Sequence, residues 1–221
     1  MRVYTYFRSS TAHRVRIALN LKGLEPEQVF VNLLRGDQHD ASYLAKNPEG
    51  FVPFLEDGDT RLSQSLAIIE YLDRTHPEPP LLPEDPAGAA RVRSLALVTA
   101  CDMHPLTNLR VLKYLKNALG LDPDARAAWA RHWMEAGLAA LETRLARERE
   151  TGRFSHGDRP GLADICLVPQ VLAARDRWQI ALDPYPTLAR IYENCLALPA
   201  FAAAMPECQP DSEPPEQARQ G

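Results

Sequence analysis

The stretch Val3-Tyr4-Thr5-Tyr6-Phe7-Arg8-Ser9-Ser10-Thr11-Ala12-His13-Arg14-Val15-Arg16-Ile17-Ala18-Leu19-Asn20-Leu21-Lys22-Gly23 decides how the chain is read. Val3 to Phe7 is dense in β-branched and aromatic residues and predicts a strand. It stops at an arginine followed by three hydroxyl residues, Ser9, Ser10 and Thr11, which suit a helix N-cap and first turn. Val15, Ile17, Ala18, Leu19 and Leu21 then supply the apolar faces of a helix, and Gly23 stands where a left-handed C-cap is expected. A strand followed directly by a helix is the first half of a βαβ unit. Gln28 to Leu33 gives the second strand, short enough and β-branched enough to lie beside the first across a right-handed crossover.

Further along, Phe51 to Gly58 and Thr60 to Leu62 read as two strands around a tight Asp57-Gly58-Asp59 turn. Pro53 enters the first of these at a sheet edge, where a proline is tolerated for want of an N–H. On that ground alone the trans default and a cis bond both stay open. Ser63-Gln64-Ser65 precedes Leu66 to Leu72 and predicts a second helix capped by a serine hydroxyl. The expected order is β-α-β-loop-β-β-α.

The prolines divide the rest. Pro77, Pro79, Pro80, Pro83 and Pro86 crowd one short stretch in which no helix or central strand is expected, so residues 77–86 read as a linker. This gives a first domain over 1–76 and a second over 87–208. Pro206, Pro210, Pro214 and Pro215 fall in a polar stretch, so residues 209–221 read as a flexible tail. The second domain is rich in Ala, Leu and Arg at helical spacing, with Leu95, Val98, Thr99 and Asp102 on one face and Trp133, Gly137, Ala140 and Leu141 on another. Gly161-Leu162-Ala163-Asp164 is a capping box with glycine at the N-cap and predicts a helix from Leu162 to Arg175.

Of the 221 residues, 45% are hydrophobic, enough for a packed core and against overall disorder. The net charge of −4 gives no basic field for a nucleic-acid partner. No run approaches the roughly 18 apolar residues of a membrane span, and the N-terminus lacks a signal-peptide pattern, so no membrane partner and a cytoplasmic location are expected. Cys101, Cys166, Cys195 and Cys208 lie far apart without a C-x-x-C pair, which predicts free thiols in a reducing compartment and no metal site.

Several segments in register resemble the zeta-class glutathione transferases: Arg8 to Leu19, Asn47-Pro48 with Phe51-Val52-Pro53, and Gln64 to Leu72. The resemblance continues through Leu81-Leu82-Pro83, His104-Pro105-Leu106-Thr107-Asn108, Gly157-Asp158 with Ala163-Asp164, Leu167 to Gln170 and Pro184-Tyr185-Pro186. It implies a thioredoxin-like N-terminal domain (α/β) followed by an all-helical (all-α) C-terminal domain, with Pro53 in cis. It also implies a homodimer.

Glutathione is the cofactor that this family uses. Helix N-termini offer unpaired N–H groups, so the Ser10-Thr11 turn suits a thiolate and the Gln64-Ser65 turn a carboxylate. A thiol of pKa about 8.5 is about 3% ionised at neutral pH, and lowering that pKa by two units requires roughly 2.7 kcal/mol of preferential anion stabilisation. By resemblance, Ser9, Ser10 and Thr11 surround the thiol, Val52 and Pro53 meet the cysteinyl unit, and Gln64 with Ser65 hold the γ-glutamyl end. Gln38, or His39 in its place, reaches the glycyl end, and His104 and Asn108 also adjoin the cofactor. Thr11 stands where zeta enzymes carry cysteine, which removes any covalent role for the protein itself.

Three arginines suit an anionic substrate. Arg8 ends the first strand beside the hydroxyl turn, and Arg177 matches an arginine of the family's substrate pocket. Arg110 lies about 200° around a straight helix from Asn108, whereas His104 and Asn108 share a face. Either the helix bends after Pro105, or Arg110 acts at a subunit boundary, or it is merely exposed. The maleylpyruvate isomerases, similar to the zeta class, combine a threonine at the Thr11 position, His-Pro before the asparagine, and an arginine at the Arg110 position. The implied activity is glutathione-dependent isomerisation of maleylpyruvate to fumarylpyruvate, in gentisate catabolism. Catalysis falls to Ser9, Ser10, Thr11, Arg8 and Arg177, and a small dicarboxylate is bound by Arg8, His104, Arg110 and Arg177. The alternatives are a maleylacetoacetate isomerase, a conjugating or dehalogenating transferase, and a noncatalytic binding protein of the same fold.

Overall fold

Strand β1 (Arg2–Thr5) runs straight into helix α1 (Ser10–Leu21), and β2 (Glu27–Phe30) returns parallel to β1, with Arg2 opposite Glu27 and Thr5 opposite Phe30. The computed structural model describes residues 1–212. β1 is shorter than the β-forming run because the Tyr6 carbonyl accepts the Ser9 N–H at 3.0 Å, which turns the chain away from the sheet. α1 closes on a Schellman motif: Leu24 N–H bonds the Leu19 carbonyl and Gly23 N–H that of Asn20. After α2 (Ala41–Leu44), strands β3 (Phe54–Asp57) and β4 (Thr60–Ser63) form the hairpin, Asp57 opposite Thr60. The four-stranded sheet has the order β2-β1-β3-β4, parallel only between β1 and β2.

Both sheet faces are covered, so successive β1 residues are buried in opposite directions. Tyr4, Tyr6, Phe7, Val31, Tyr43, Val52 and Phe54 pack together on one face, with Tyr4 meeting Tyr43 edge-on at 5.7 Å. Helix α3 (Ser65–Thr75) contributes Ile68, Ile69 and Leu72 to the core. Its N-cap is Gln64 at φ 68°, without a side-chain cap, so the expected serine cap is not what starts this helix. Ser63 instead donates to Glu49 at 2.5 Å.

The described chain falls into two compact units, Met1–Pro80 with the chain from Leu198 onward, and Leu81–Ala197. The division departs from the domain limits read off the prolines at both ends. Pro86 is not linker: it opens helix α4 (Pro86–Leu97), where its missing N–H costs nothing, behind an Asp85 cap that accepts from Gly88 N–H at 2.7 Å. Residues 209–212 are not loose either, since Gln209 is buried and donates to the Ala203 and Met205 carbonyls. The remainder of the expected tail lies outside the described residues.

The second unit is helical. A π-helical segment, Val98–Met103, joins α4 to α5 (His104–Thr107); α6 (Leu109–Asn117) and the long α7 (Pro123–Arg147) follow. The buried line of α7 is Ala130, Met134, Leu138, Leu141 and Leu145, so the face predicted through Trp133 and Ala140 is displaced around the helix. Gly137 lies beside that line, and a Cβ there would overlap the buried Met103 side chain. The wholly buried α8 (Leu162–Leu172) contains Pro169 and passes into a second π-helical segment, Ala173–Arg177, instead of continuing as α-helix to Arg175. Helix α9 (Pro186–Leu196) ends this unit, and α10 (Pro199–Ala202) belongs to the first. Among the described residues no helix is long and apolar enough to cross a membrane.

Candidate functional site

In the first unit the hydroxyl turn is organised by a short relay. Ser9 is the N-cap of α1, and its Oγ accepts the Ala12 N–H at 3.2 Å. Thr11 Oγ1 donates to the Val52 carbonyl at 2.9 Å and lies 2.9 Å from Ser9 Oγ. Since the Thr11 proton is committed to Val52, the proton between the two hydroxyls is that of Ser9. The Ser10 hydroxyl, like the backbone N–H groups of Ser10 and Thr11, has no partner among the described residues. These are the donors that a helix N-terminus leaves open.

Val52 is tied to this turn and precedes a cis Val52–Pro53 peptide, the isomer that the resemblance implies. Its N–H has no acceptor among the described residues. The Phe51 carbonyl just before it is fixed by Tyr43 Oη at 2.5 Å and Asn47 Nδ2 at 2.8 Å. Burial pushes the Tyr43 phenol up to about 12, so it stays a donor. Gln38 and His39 lie behind Gly50: a Cβ on that glycine would sit 3.3 Å from the Gln38 carbonyl and 3.5 Å from His39 Nδ1. Gln38 is buried and His39 exposed, so His39 is the side chain this loop presents to solvent.

At the start of α3, Ser65 is buried and Gln64 exposed. The Gln64 amide donates to Glu49 Oε2 at 2.6 Å, and buried Arg14 lies 3.4 Å from Ser65 Oγ through Nη1. Arg14 and Arg16 face inward from α1 and put positive charge behind both helix N-termini. His13 beside them is held well below its usual pKa, chiefly by burial and then by Arg16 and Arg14, so it is neutral. Burial also lowers Arg16 to about 10, against the favourable pull of Asp211, which leaves it charged at neutral pH. Arg14, Glu49 and Arg16 were not singled out in the sequence. The available signal was one arginine, Arg16, inside the otherwise apolar run Val15 to Leu19 and another, Arg14, immediately before it. Arg8 is exposed and makes no ion pair among the described residues.

In the second unit, His104 and Asn108 do not share one helix. α5 stops at Thr107, Asn108 is extended at ψ 164°, and its Oδ1 caps α6 by accepting the Val111 N–H at 3.1 Å. Asparagine is a strong N-cap, so the chain restarts a helix there, and the straight-helix argument about Arg110 does not apply. Arg110 is an exposed first-turn residue of α6. The π segment before His104 closes with a bond from His104 N–H to the Thr99 carbonyl, and Pro105 lacks the N–H that would extend an α-ladder. The second π segment ends in the same way, Trp178 N–H bonding the Ala173 carbonyl at 3.2 Å. Arg177 is exposed at its last position with its guanidinium 4.7 Å over the Trp178 ring, while the Trp178 carbonyl accepts from Arg131 Nε at 2.9 Å. His104 thus follows one locally widened helix and Arg177 closes another.

Family models for the glutathione S-transferase N-terminal and C-terminal domains match residues 3–80 and 123–194. The chain is 46% identical over 212 residues to a maleylpyruvate isomerase of a Ralstonia species, covering 96% of this chain and all of that protein. The chain belongs to the zeta-class glutathione transferases. Its fold agrees with a holo maleylpyruvate isomerase described as a bacterial zeta-class transferase at a TM-score of 0.94 and 46% identity, over 96% of this chain and all of the other. It agrees equally, at 0.94 and 47% identity over 97% of this chain and all of the other, with a maleylacetoacetate isomerase of Methylobacterium extorquens AM1 that holds malonate and glutathione. For this transferase, the strand from Val3 onward, the hydroxyl turn and the cis-proline edge described above all lie within the residues that the N-terminal domain model matches.

Proposed function

We propose that this transferase is a glutathione-dependent cis–trans isomerase that converts maleylpyruvate to fumarylpyruvate, a step of gentisate catabolism. The observation that carries the reading is the set of open donors around one strand edge: the N–H groups of Ser10 and Thr11, that of Val52, and the first turn of α3. Glutathione is complementary to this set, with a thiol, an extended peptide backbone and a carboxylate at matching ends.

Bound glutathione supplies a thiolate that adds reversibly to the cis double bond, so that the bond can rotate before the thiolate leaves unchanged. The helix N-terminus at Ser10 and Thr11 favours the ionised sulfur, the Ser10 hydroxyl donates to it, and the Ser9 hydroxyl turns its one proton from Thr11 Oγ1 to the sulfur. Val52 pairs its backbone with the cysteinyl unit beside Pro53. Ser65, backed by Arg14, and Gln64 take the γ-glutamyl carboxylate; His39, rather than buried Gln38, meets the glycyl end. Arg8 and Arg177 pair with the substrate carboxylates and stabilise the negative charge that develops on the conjugated oxygen, with His104 and Arg110 completing substrate binding and Asn108 Nδ2 a further donor. With threonine at position 11, the protein provides no nucleophile of its own.

Thr11, His104-Pro105 and Arg110 favour maleylpyruvate over maleylacetoacetate. A homodimer in the reducing cytoplasm suits an enzyme that works with free glutathione. Mass spectrometry of a completed reaction tests the class: an isomerase yields the trans product and unmodified glutathione, whereas a conjugating or dehalogenating transferase yields a glutathione adduct. Failure to bind a glutathione column would support a noncatalytic protein.

A further inference from the structure

Phe7 links the first strand to the hydroxyl turn, and side chains take both of its backbone polar groups. Its N–H donates to Asp211 Oδ2 at 2.9 Å, and its carbonyl accepts from Arg16 Nη2 at 3.0 Å. The same guanidinium reaches the Tyr6 carbonyl at 3.3 Å and Thr5 Oγ1 at 3.4 Å through Nη1, and the Ala204 carbonyl at 3.1 Å through Nε. Tyr6 in turn receives the Ser9 N–H. The backbone leading into Arg8 and Ser9 is therefore gripped from behind by one buried cation and one carboxylate.

Ala204 and Asp211 lie on the segment that returns to the first unit. That segment is anchored independently by Asn20 Nδ2, which donates to the Ala200 carbonyl at 2.9 Å, and is ordered internally by the buried Gln209 amide, which bridges Ala203 and Met205. A carboxylate accepting a backbone N–H is a charge-assisted bond, stronger and shorter than a neutral one. A small displacement at Phe7 is carried into the N-cap two residues later, where donor placement decides how far a sulfur anion is stabilised.

We infer that Asp211 is a positioning residue for the thiolate site, acting through Phe7 and together with Arg16, so that the returning segment is part of the glutathione-activating apparatus. This rests on the reading of the Ser9–Thr11 turn as the thiolate site. Asp211 has two separable duties, an acceptor for Phe7 N–H and a negative charge near Arg16. Asp211→Ala removes both, whereas Asp211→Asn keeps an acceptor and loses the charge.

The test is a pH titration of the ultraviolet thiolate absorbance of glutathione bound to the full chain, alongside thermal unfolding and kcat. Asp211→Ala is expected to raise the apparent pKa of the bound thiol by about half a unit or more and to lower kcat at neutral pH by about threefold or more. Asp211→Asn is expected to fall between Asp211→Ala and wild type, and Glu207→Ala, an exposed change on the same segment, to match wild type. If Asp211→Ala does not fold, Asp211→Asn alone decides: a wild-type thiol pKa with a lowered Tm makes Asp211 merely structural and overturns the inference. Folded variants that ionise bound glutathione as the wild type does overturn it equally. A wild-type protein that binds no glutathione overturns the underlying reading and this inference together.

Discussion

The Thr11 hydroxyl donates to the Val52 carbonyl at 2.9 Å, joining residues 41 apart in the chain. One bond thereby couples the start of α1 to the strand edge beside the cis-proline, and it fixes the direction of the Ser9 proton. Thr11→Val keeps the shape but leaves a buried carbonyl unpaired, which costs about 1–2 kcal/mol. The expected outcome is a lower Tm together with a KM for glutathione raised about fivefold, both restored by Thr11→Ser. Thermal unfolding and steady-state kinetics check it; an unchanged KM would show the bond to be structural alone.

Ser9 and Ser10 are adjacent, yet their substitutions differ in consequence. Ser9→Ala removes the helix cap, about 1 kcal/mol of stability, as well as a hydroxyl of the turn. Its kcat/KM is expected to fall about a hundredfold, against about tenfold or less for Ser10→Ala, which removes a donor and no cap. Equal losses in the two variants would contradict the division of roles.

Gly161 occupies an N-cap where serine is ordinarily better. Here a Cβ would stand 2.8 Å from the Leu81 carbonyl, which already accepts the Leu162 N–H at 2.9 Å, while Asp164 Oδ2 accepts the Gly161 N–H at 2.9 Å. The linker backbone has taken over the cap, and there is no room for a hydroxyl. Gly161→Ser is expected to destabilise by about 1–3 kcal/mol in urea unfolding. A gain in stability would show that the Leu81 carbonyl yields.

Glu148 joins Arg91 Nε at 2.6 Å and Arg144 Nε at 2.8 Å. Burial acts to raise its pKa, but hydrogen bonds from Arg144 and Arg91 outweigh it and hold the carboxyl below its ordinary range. The unfolded chain therefore takes up this proton at a higher pH than the folded one. The stabilisation is complete above the ordinary carboxylate pKa and is lost as pH falls through the lower folded value. Glu148→Gln is expected to be less stable than wild type at pH about 7 and to converge with it toward pH about 3. A gap that stays constant with pH would contradict this.

The first unit was legible because its signals are local. A β-rich run meeting three hydroxyls, a Gly58 hairpin and a helix of even apolar spacing fix the order and pairing of elements with little help from distant residues. The errors fall where tertiary partners decide. The Gln64 cap depends on a backbone conformation at φ 68°, and the Leu81 carbonyl that replaces a cap on α8 lies 81 positions before the helix it serves. Helical periodicity could not distinguish one helix through Asn108 from two, since asparagine suits both a turn and a cap. The π segments leave no compositional trace. Asp211 sits in a polar, proline-rich stretch that reads as loose, and its partner Phe7 is 204 residues away.

The most direct test is the rate of loss of maleylpyruvate absorbance with and without glutathione at fixed enzyme. Isomerisation should require glutathione, should continue for many turnovers at a substoichiometric amount of it, and should leave its concentration unchanged. Equal rates in its absence, or consumption of one glutathione per substrate, would contradict the account.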